Sequence, residues 1–323
     1  MGQSSAIKPS RPVLCLAGPT AVGKTALAVE LVQRLPLQII NVDSAQIYRG
    51  MDIGTGKPDQ ATLARAPHRL IDFLDPAQSY SAASFRTDAI REITDILQNG
   101  KIPLLVGGTM LYFKALRDGL APLPAADPRL RQQIELEADQ IGWAGIHRRL
   151  AEVDPAAAQR IHPNDPQRLQ RALEVYLLTG KSLSHWHRQQ GVDGQPPFDL
   201  HFFSIQPGLR SVLHEKISKR FDKMLKAGLL AEVEMLYRRP DLHAGLPALR
   251  SVGYRQVWQY LGGEISYDEM RERGIIATRQ LAKRQITWLR SWPNLRNYDS
   301  DNPQLLDQVL KSLEAAAIVG LSG

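Results

Sequence analysis

Cysteine is nearly absent: Cys15 stands alone among 323 residues. A single thiol excludes an internal disulfide and any zinc site built on cysteines, and it suits a reducing compartment, so a cytoplasmic setting is expected. Long apolar runs are missing as well. No stretch approaches the ~18 residues of a membrane span, and no membrane role is expected. The opening MGQSSAIKPSRP has none of the apolar core of a secretion signal. Its MGQSSA loosely fits a myristoylation pattern at Gly2, which is too short to carry an argument. Repeats and low-complexity tracts are lacking, and the histidines show no metal-binding spacing; His185 and His187 flank Trp186 with no further ligand in register. Acid is absent from one strongly basic stretch. The chain carries 40 Lys and Arg against 33 Asp and Glu, a net charge of +7, which leans toward polyanionic partners. Residues 119–196 are neutral, whereas residues 273–296 hold six basic residues and no acid.

What is present begins with alternation. Residues 12–17 (PVLCLA), 38–42 (QIINV) and 103–106 (PLLV) read as short buried strands. Residues 24–34 and 82–99 read as helices between them, the second with Ala82, Phe85, Ala89, Ile93 and Ile96 near one face. This order predicts an α/β protein: a parallel sheet flanked by helices. Residues 201–205 (HFFSI) extend the sheet, and a last strand is expected near residues 295–298. Between Pro-rich stretches at 120–128 and 191–197, residues 129–190 have a helical pattern broken at Asp154-Pro155, His162-Pro163 and Asp165-Pro166. The expected organisation is a core of residues 1–119 and 197–323 with a small all-helical insertion, 120–196.

The strongest motif is Gly18-Pro19-Thr20-Ala21-Val22-Gly23-Lys24-Thr25. It fits G-x-x-x-x-G-K-[ST] between a buried strand and a helix, the setting of a phosphate-binding loop. Its amides and the helix N-terminus favour an anion. Lys24 would meet terminal phosphate oxygens and Thr25 would hold Mg²⁺, so the core is expected to be P-loop NTPase-like. The next strand ends at Asp43, which heads Asp43-Ser44-Ala45-Gln46. Strand ends line the ligand crevice in such sheets, so Asp43 is a candidate metal holder or general base. A third strand end supplies Gly107, Gly108 and Thr109. Arg49, Asp52 and Lys57 lie in the loop after Asp43. Lys216, Lys219, Arg220 and Lys223 share a helical stretch, and the sequence does not select which of them reaches a phosphate. In the acid-free stretch, Arg279, Lys283 and Arg290 fall on one helical face, interleaved with Gln280, Gln285, Trp288 and Trp292, a plausible footprint on a nucleic-acid backbone.

Taken together, GPTAVGKT, DSAQIYRGMDIGTGKP, LLVGGTMLYFKAL, QRLQRALEV, RSVGYRQVWQYL and ATRQLAKRQITWLRSW closely resemble the bacterial tRNA dimethylallyltransferases, over about residues 12–298. Gly56 stands where that family has alanine, another small residue. The resemblance implies transfer of a dimethylallyl group from dimethylallyl diphosphate to N6 of the adenosine 3′ of the anticodon. Residues 18–25 would bind the diphosphate. Lys24 and Arg220 would neutralise the leaving pyrophosphate, Thr109 would sit near its bridging oxygen, and Asp43 would take the N6 proton. It also implies tRNA contacts at Asp43, Ser44, Ala45, Gln46, Thr109, Arg131, Gln167, Arg168, Leu169, Gln170, Arg171, Arg250, Tyr254, Arg255, Lys283, Arg284, Trp288 and Arg290. The insertion would swing onto the anticodon stem-loop, and the adenine would be flipped from its stack. A monomer is the default expectation. The competing readings are a small-molecule kinase with Asp43 as base, an isopentenyltransferase of free adenine nucleotides, and a nucleic-acid-binding NTPase.

Overall fold

Strand β1 (Pro12–Ala17) is buried at every position after its first, because it lies inside a sheet covered on both faces. Val13, Cys15 and Ala17 pack into one apolar cluster, Leu14 and Leu16 into another. This period-two division is what an apolar run does when it has no solvent side. The computed structural model describes residues 12–188, 196 and 198–315. Gly2, and residues 191–197 apart from Pro196, lie outside the described residues.

From β1 the chain runs through α1 (Lys24–Val32), β2 (Leu37–Val42), α2 (Gln60–Arg65), β3 (His68–Arg69), α3 (Ala82–Gln98), β4 (Ile102–Gly107) and α4 (Met110–Asp118). On α3 the buried residues are Phe85, Ala89, Ile93 and Ile96, the face set by helical spacing. After the insertion come β5 (Asp199–Gln206), α9 (Arg210–Lys226), α10 (Leu229–Tyr237), α11 (Tyr254–Leu261), α12 (Tyr267–Arg290), β6 (Arg296–Asp299) and α13 (Leu305–Ala315). The six strands form one parallel sheet in the order β3-β2-β4-β1-β5-β6. This is the α/β architecture expected. β3 was not anticipated, since a two-residue strand has no periodicity to read. All strand C-termini fall on one edge, where the loops after β1, β2 and β4 meet.

The chain divides into two compact units, Arg117–Gln195 and the remainder; the sequence set these ends at 120 and 196. The smaller unit holds α5 (Pro128–Val153), α6 (Pro155–Arg160), α7 (Pro166–Thr179) and α8 (Leu183–Arg188). Its breaks have a local cause. Asp154 and Asp165 cap α6 and α7 through their side chains, each followed by proline at the first helical position. The unit has its own apolar core, including Ile134, Ile146, Leu150, Leu169 and Leu173. One break was not anticipated: α5 kinks at Gly142, where φ is 70°.

Candidate active site

The shape of the loop at residues 18–25 follows from its backbone. Gly23 adopts φ 89° at the N-cap of α1, a left-handed conformation that a side chain would strain. The Lys24 ammonium turns back along the loop and donates to the carbonyls of Gly18 at 2.9 Å and Pro19 at 2.7 Å. Burial lowers this ammonium to about 8, Asp43 opposing the shift and Arg220 adding to it. Lys24, Asp43 and Arg220 therefore form one electrostatic group. Burial also pulls the Arg220 guanidinium below its ordinary value, again opposed by Asp43. All three line a cleft of about 890 Å³, together with Thr20, Ala21, Gly23 and Thr25 from the loop. Ile53, Ile217, Phe221, Met224 and Leu281 make part of the same wall apolar.

Asp43 is held by its own turn. Its Oδ1 accepts the amides of Ala45 at 2.8 Å and Gln46 at 3.3 Å. Thr109 Oγ1 accepts the Ser44 amide at 3.0 Å, which ties the turn after β2 to the end of β4. Thr109 is thus beside the Asp43 turn, and it is not among the residues of the cleft wall. Gln285, from the inner face of α12, accepts the Thr20 amide at 2.9 Å and donates to the Gly108 carbonyl at 3.0 Å. One nearly buried amide thereby fixes the phosphate loop against the β4 turn. The sequence offered a signal for it: Leu281, Gln285 and Leu289 recur every four residues, which puts a polar side chain on a buried stripe.

The loop after Asp43 is organised from α10. Glu232, 6% exposed, accepts the amides of Asp52, Ile53 and Gly54 at 3.0, 2.7 and 3.1 Å and the Tyr254 hydroxyl at 2.5 Å. Lys57 is an internal tie as well. It donates to the Tyr48 carbonyl and to Asp52 and Asp72 at 2.7, 2.5 and 2.6 Å. Gly56 matters more than its size class suggested. Its φ is 63°, and a Cβ there would lie 1.9 Å from Arg220 Nη2. Glycine lets the guanidinium lie against this loop, where Nη2 reaches the Thr55 carbonyl at 3.5 Å. The structure also selects within the basic run of α9. Lys216 pairs with Asp301 and Lys219 with Glu215, while Arg220 and Lys223 face the cleft.

Several residues expected to touch RNA are committed elsewhere. Leu169 is fully buried in the insertion core and Gln170 nearly so, its amide spent on the Arg131 carbonyl and Glu135. Tyr254 is fully buried against Glu232. These three side chains are corrected to structural roles. Arg131 and Arg171 grip the buried Glu174 at 2.8 and 2.6 Å. Trp292, grouped with the basic stretch, is 7% exposed, and Trp288 is 37% exposed. Gln167, Arg168, Arg250, Arg255, Lys283, Arg284 and Arg290 are exposed.

A parallel six-stranded sheet flanked by helices, with Lys24, Asp43 and Arg220 around one cleft at its strand ends, is the arrangement of an α/β protein. The chain belongs to the IPP transferase family: the family model of that description matches residues 46–292. A second model, described as isopentenyl transferase, matches residues 12–75. Among solved structures, the chain is similar to the full-length tRNA isopentenylpyrophosphate transferase of Bacillus halodurans at 34% identity, covering 95% of this chain and 96% of that one, TM-score 0.69. The tRNA delta(2)-isopentenylpyrophosphate transferase of Staphylococcus epidermidis is 32% identical over 95% and 99%, TM-score 0.68. A eukaryotic dimethylallyltransferase acting on tRNA is 26% identical over 97% and 81%, TM-score 0.80.

Proposed function

We propose that the chain transfers the dimethylallyl group of dimethylallyl diphosphate to tRNA, at N6 of the adenosine 3′ of the anticodon. The observation that carries this reading is the two-natured cleft. A phosphate loop, Lys24 and Arg220 offer positive charge, and Ile217, Phe221, Met224 and Leu281 offer an apolar wall in the same space. An allylic diphosphate has that division. Family membership and the tRNA-acting relatives support the acceptor.

In the reaction, the N6 lone pair forms a bond to the allylic carbon. The carbon–oxygen bond to diphosphate breaks, and the leaving group keeps its electron pair. Lys24, Arg220 and the loop amides stabilise the charge that develops on it. Asp43 takes the proton from N6, oriented by the Ala45 and Gln46 amides. Thr109 acts by holding Ser44 and the Asp43 turn. Mg²⁺ suits this donor set as an ion carried with the diphosphate: the Thr25 hydroxyl and Asp43 carboxylate share the cleft, and no cluster of three His, Cys, Asp or Glu that could hold a metal occurs among the described residues. When bound, it would offset further charge on the leaving diphosphate. The adenine must leave its stack to reach this cleft, at a cost of a few kcal/mol. The exposed residues Gln167, Arg168, Arg250, Arg255, Lys283, Arg284, Trp288 and Arg290 are the RNA contacts of this reading, with a cytoplasmic monomer as the working form.

Labelled dimethylallyl diphosphate tests it directly, offered with unmodified tRNA in one arm and adenosine monophosphate in the other. Label is expected on tRNA alone. Label on the free nucleotide would instead assign the chain to nucleotide prenylation.

A further inference from the structure

We propose that a second cleft, between α9 and α12, is a binding subsite for a backbone phosphate of the RNA acceptor. It rests on the tRNA reading above. The two helices line the diphosphate cleft with one set of residues, including Ile217, Arg220 and Gln285. A different set, Arg210 and His214 from α9 and Arg279, Lys283 and Arg290 from α12, surrounds a separate cleft of about 50 Å³. The two clefts share no residue.

Three features make the second cleft an anion site rather than a solvated basic face. The first is lack of neutralisation. Some basic side chains of these helices have acidic partners, Lys216 with Asp301, Arg271 with Asp222 and Arg273 with Glu269. No acid lines this cleft. The second is an unmet donor: Arg279 Nε is buried with no hydrogen-bond partner among the described residues. Such a group costs ~1–3 kcal/mol until an acceptor arrives. The third is crowding. The His214 imidazole is pushed down by burial and by the positive charges of Arg279 and Arg210, and Lys283 and Arg290 face it from α12. An anion among these groups relieves the repulsion. The first amides of α9 contribute in the same sense, since its N-cap, Leu209, supplies no side-chain acceptor.

Size and surroundings indicate the ligand. A cleft of about 50 Å³ holds more than one water and is matched to a single phosphate group rather than a diphosphate with its tail. It is also open along a path. Arg290 lines an adjoining groove of about 420 Å³ as well, with Gln206, Gly208, Asn297 and one carboxylate, Asp299. Exposed Arg284 and Trp288 stand on the same helix. A polymer can pass through such a site, whereas a small metabolite has no closed pocket here.

The test is tRNA binding across about 50–200 mM salt for wild type, for Arg210→Gln with Arg279→Gln, and for Lys283→Glu with Arg290→Glu, each with a thermal melt. Arg210→Gln alone, at an exposed side chain, serves if the first pair unfolds. Loss of one phosphate contact is expected to flatten the slope of log affinity against log salt by about 1 and to weaken binding, at an unchanged melting midpoint. An unaltered slope and affinity for the Arg210 variants, while the Lys283 and Arg290 pair weakens binding, would overturn the subsite and leave the tRNA reading standing. No tRNA binding by wild type would overturn both. Inorganic phosphate added as a competitor is expected to displace RNA no better than its ionic strength predicts; displacement below that level of salt would assign the cleft to a free anion.

Discussion

Asp43 carries two loads on one carboxyl group. Oδ1 caps its turn through the Ala45 and Gln46 amides, and the charged group faces Lys24 and Arg220. Asparagine keeps an oxygen for the cap and removes the basicity. Asp43→Asn is therefore expected to slow transfer by roughly 10²–10⁴-fold in single-turnover assays, with an unchanged melting midpoint. A near-normal rate would remove Asp43 as the base. Lys24 gives a pH dependence. Its ammonium titrates at about 8 in the free protein, and the charged form is the one that binds diphosphate. The KM for dimethylallyl diphosphate should then rise as pH increases through about 8, measured from initial rates at saturating tRNA; a KM flat to pH well above this would contradict the assignment. These residues were legible in the sequence because their chemistry is local: a strand end, a glycine loop and a lysine in fixed register. By spacing alone Arg220 was legible only as one of four basic residues on a helix, and it was the family resemblance that selected it. What singles it out is a loop some 165 positions away, with Gly56 opening the space.

At the scale of elements, two helices hold the site's loops through single side chains. Glu232 on α10 collects three loop amides and the Tyr254 hydroxyl. In Glu232→Gln one oxygen becomes an NH₂ group pointed at other donors. The expected cost is about 3 kcal/mol in chemical denaturation, with a raised KM for the diphosphate because the Thr55–Arg220 contact lies on this loop. Gln285 on α12 bridges Thr20 and Gly108. Gln285→Leu fills the space and leaves both backbone groups unpaired, at ~1–3 kcal/mol each. Transfer should fall while tRNA affinity holds, read as a drop in kcat without a matching change in binding; unchanged kcat would show that α12 does not set the loop. Elements were readable where the pattern was strong, as in β1, β2, β4 and α3. Prolines after Asp154 and Asp165 marked breaks in the helical pattern, which the structure shows to be capped helix starts, whereas Gly142 gave no such notice, since an isolated glycine is tolerated inside a helical pattern. Glu232 escaped because a buried polar residue is recognised by its distant partners, and the spacing around Gln285 marks it as buried without naming Thr20 and Gly108 as what it holds.

At the scale of the molecule, the +7 charge is unevenly placed. The outer side of α12 carries Lys283, Arg284 and Arg290 in solvent, and its inner side carries Gln285 to the phosphate loop. One helix thus joins the surface read as RNA-binding to the chemistry, which composition alone did not reveal. The central claim is that this P-loop serves alkyl transfer to RNA and not nucleotide hydrolysis. Nucleoside mass spectrometry of unmodified tRNA, incubated with the protein, Mg²⁺ and dimethylallyl diphosphate without ATP, tests it most directly. The account predicts one dimethylallyl group on N6 of the adenosine 3′ of the anticodon, with one diphosphate released per transfer. Unchanged tRNA here, with ATP consumed in a parallel reaction lacking the allylic substrate, would contradict it.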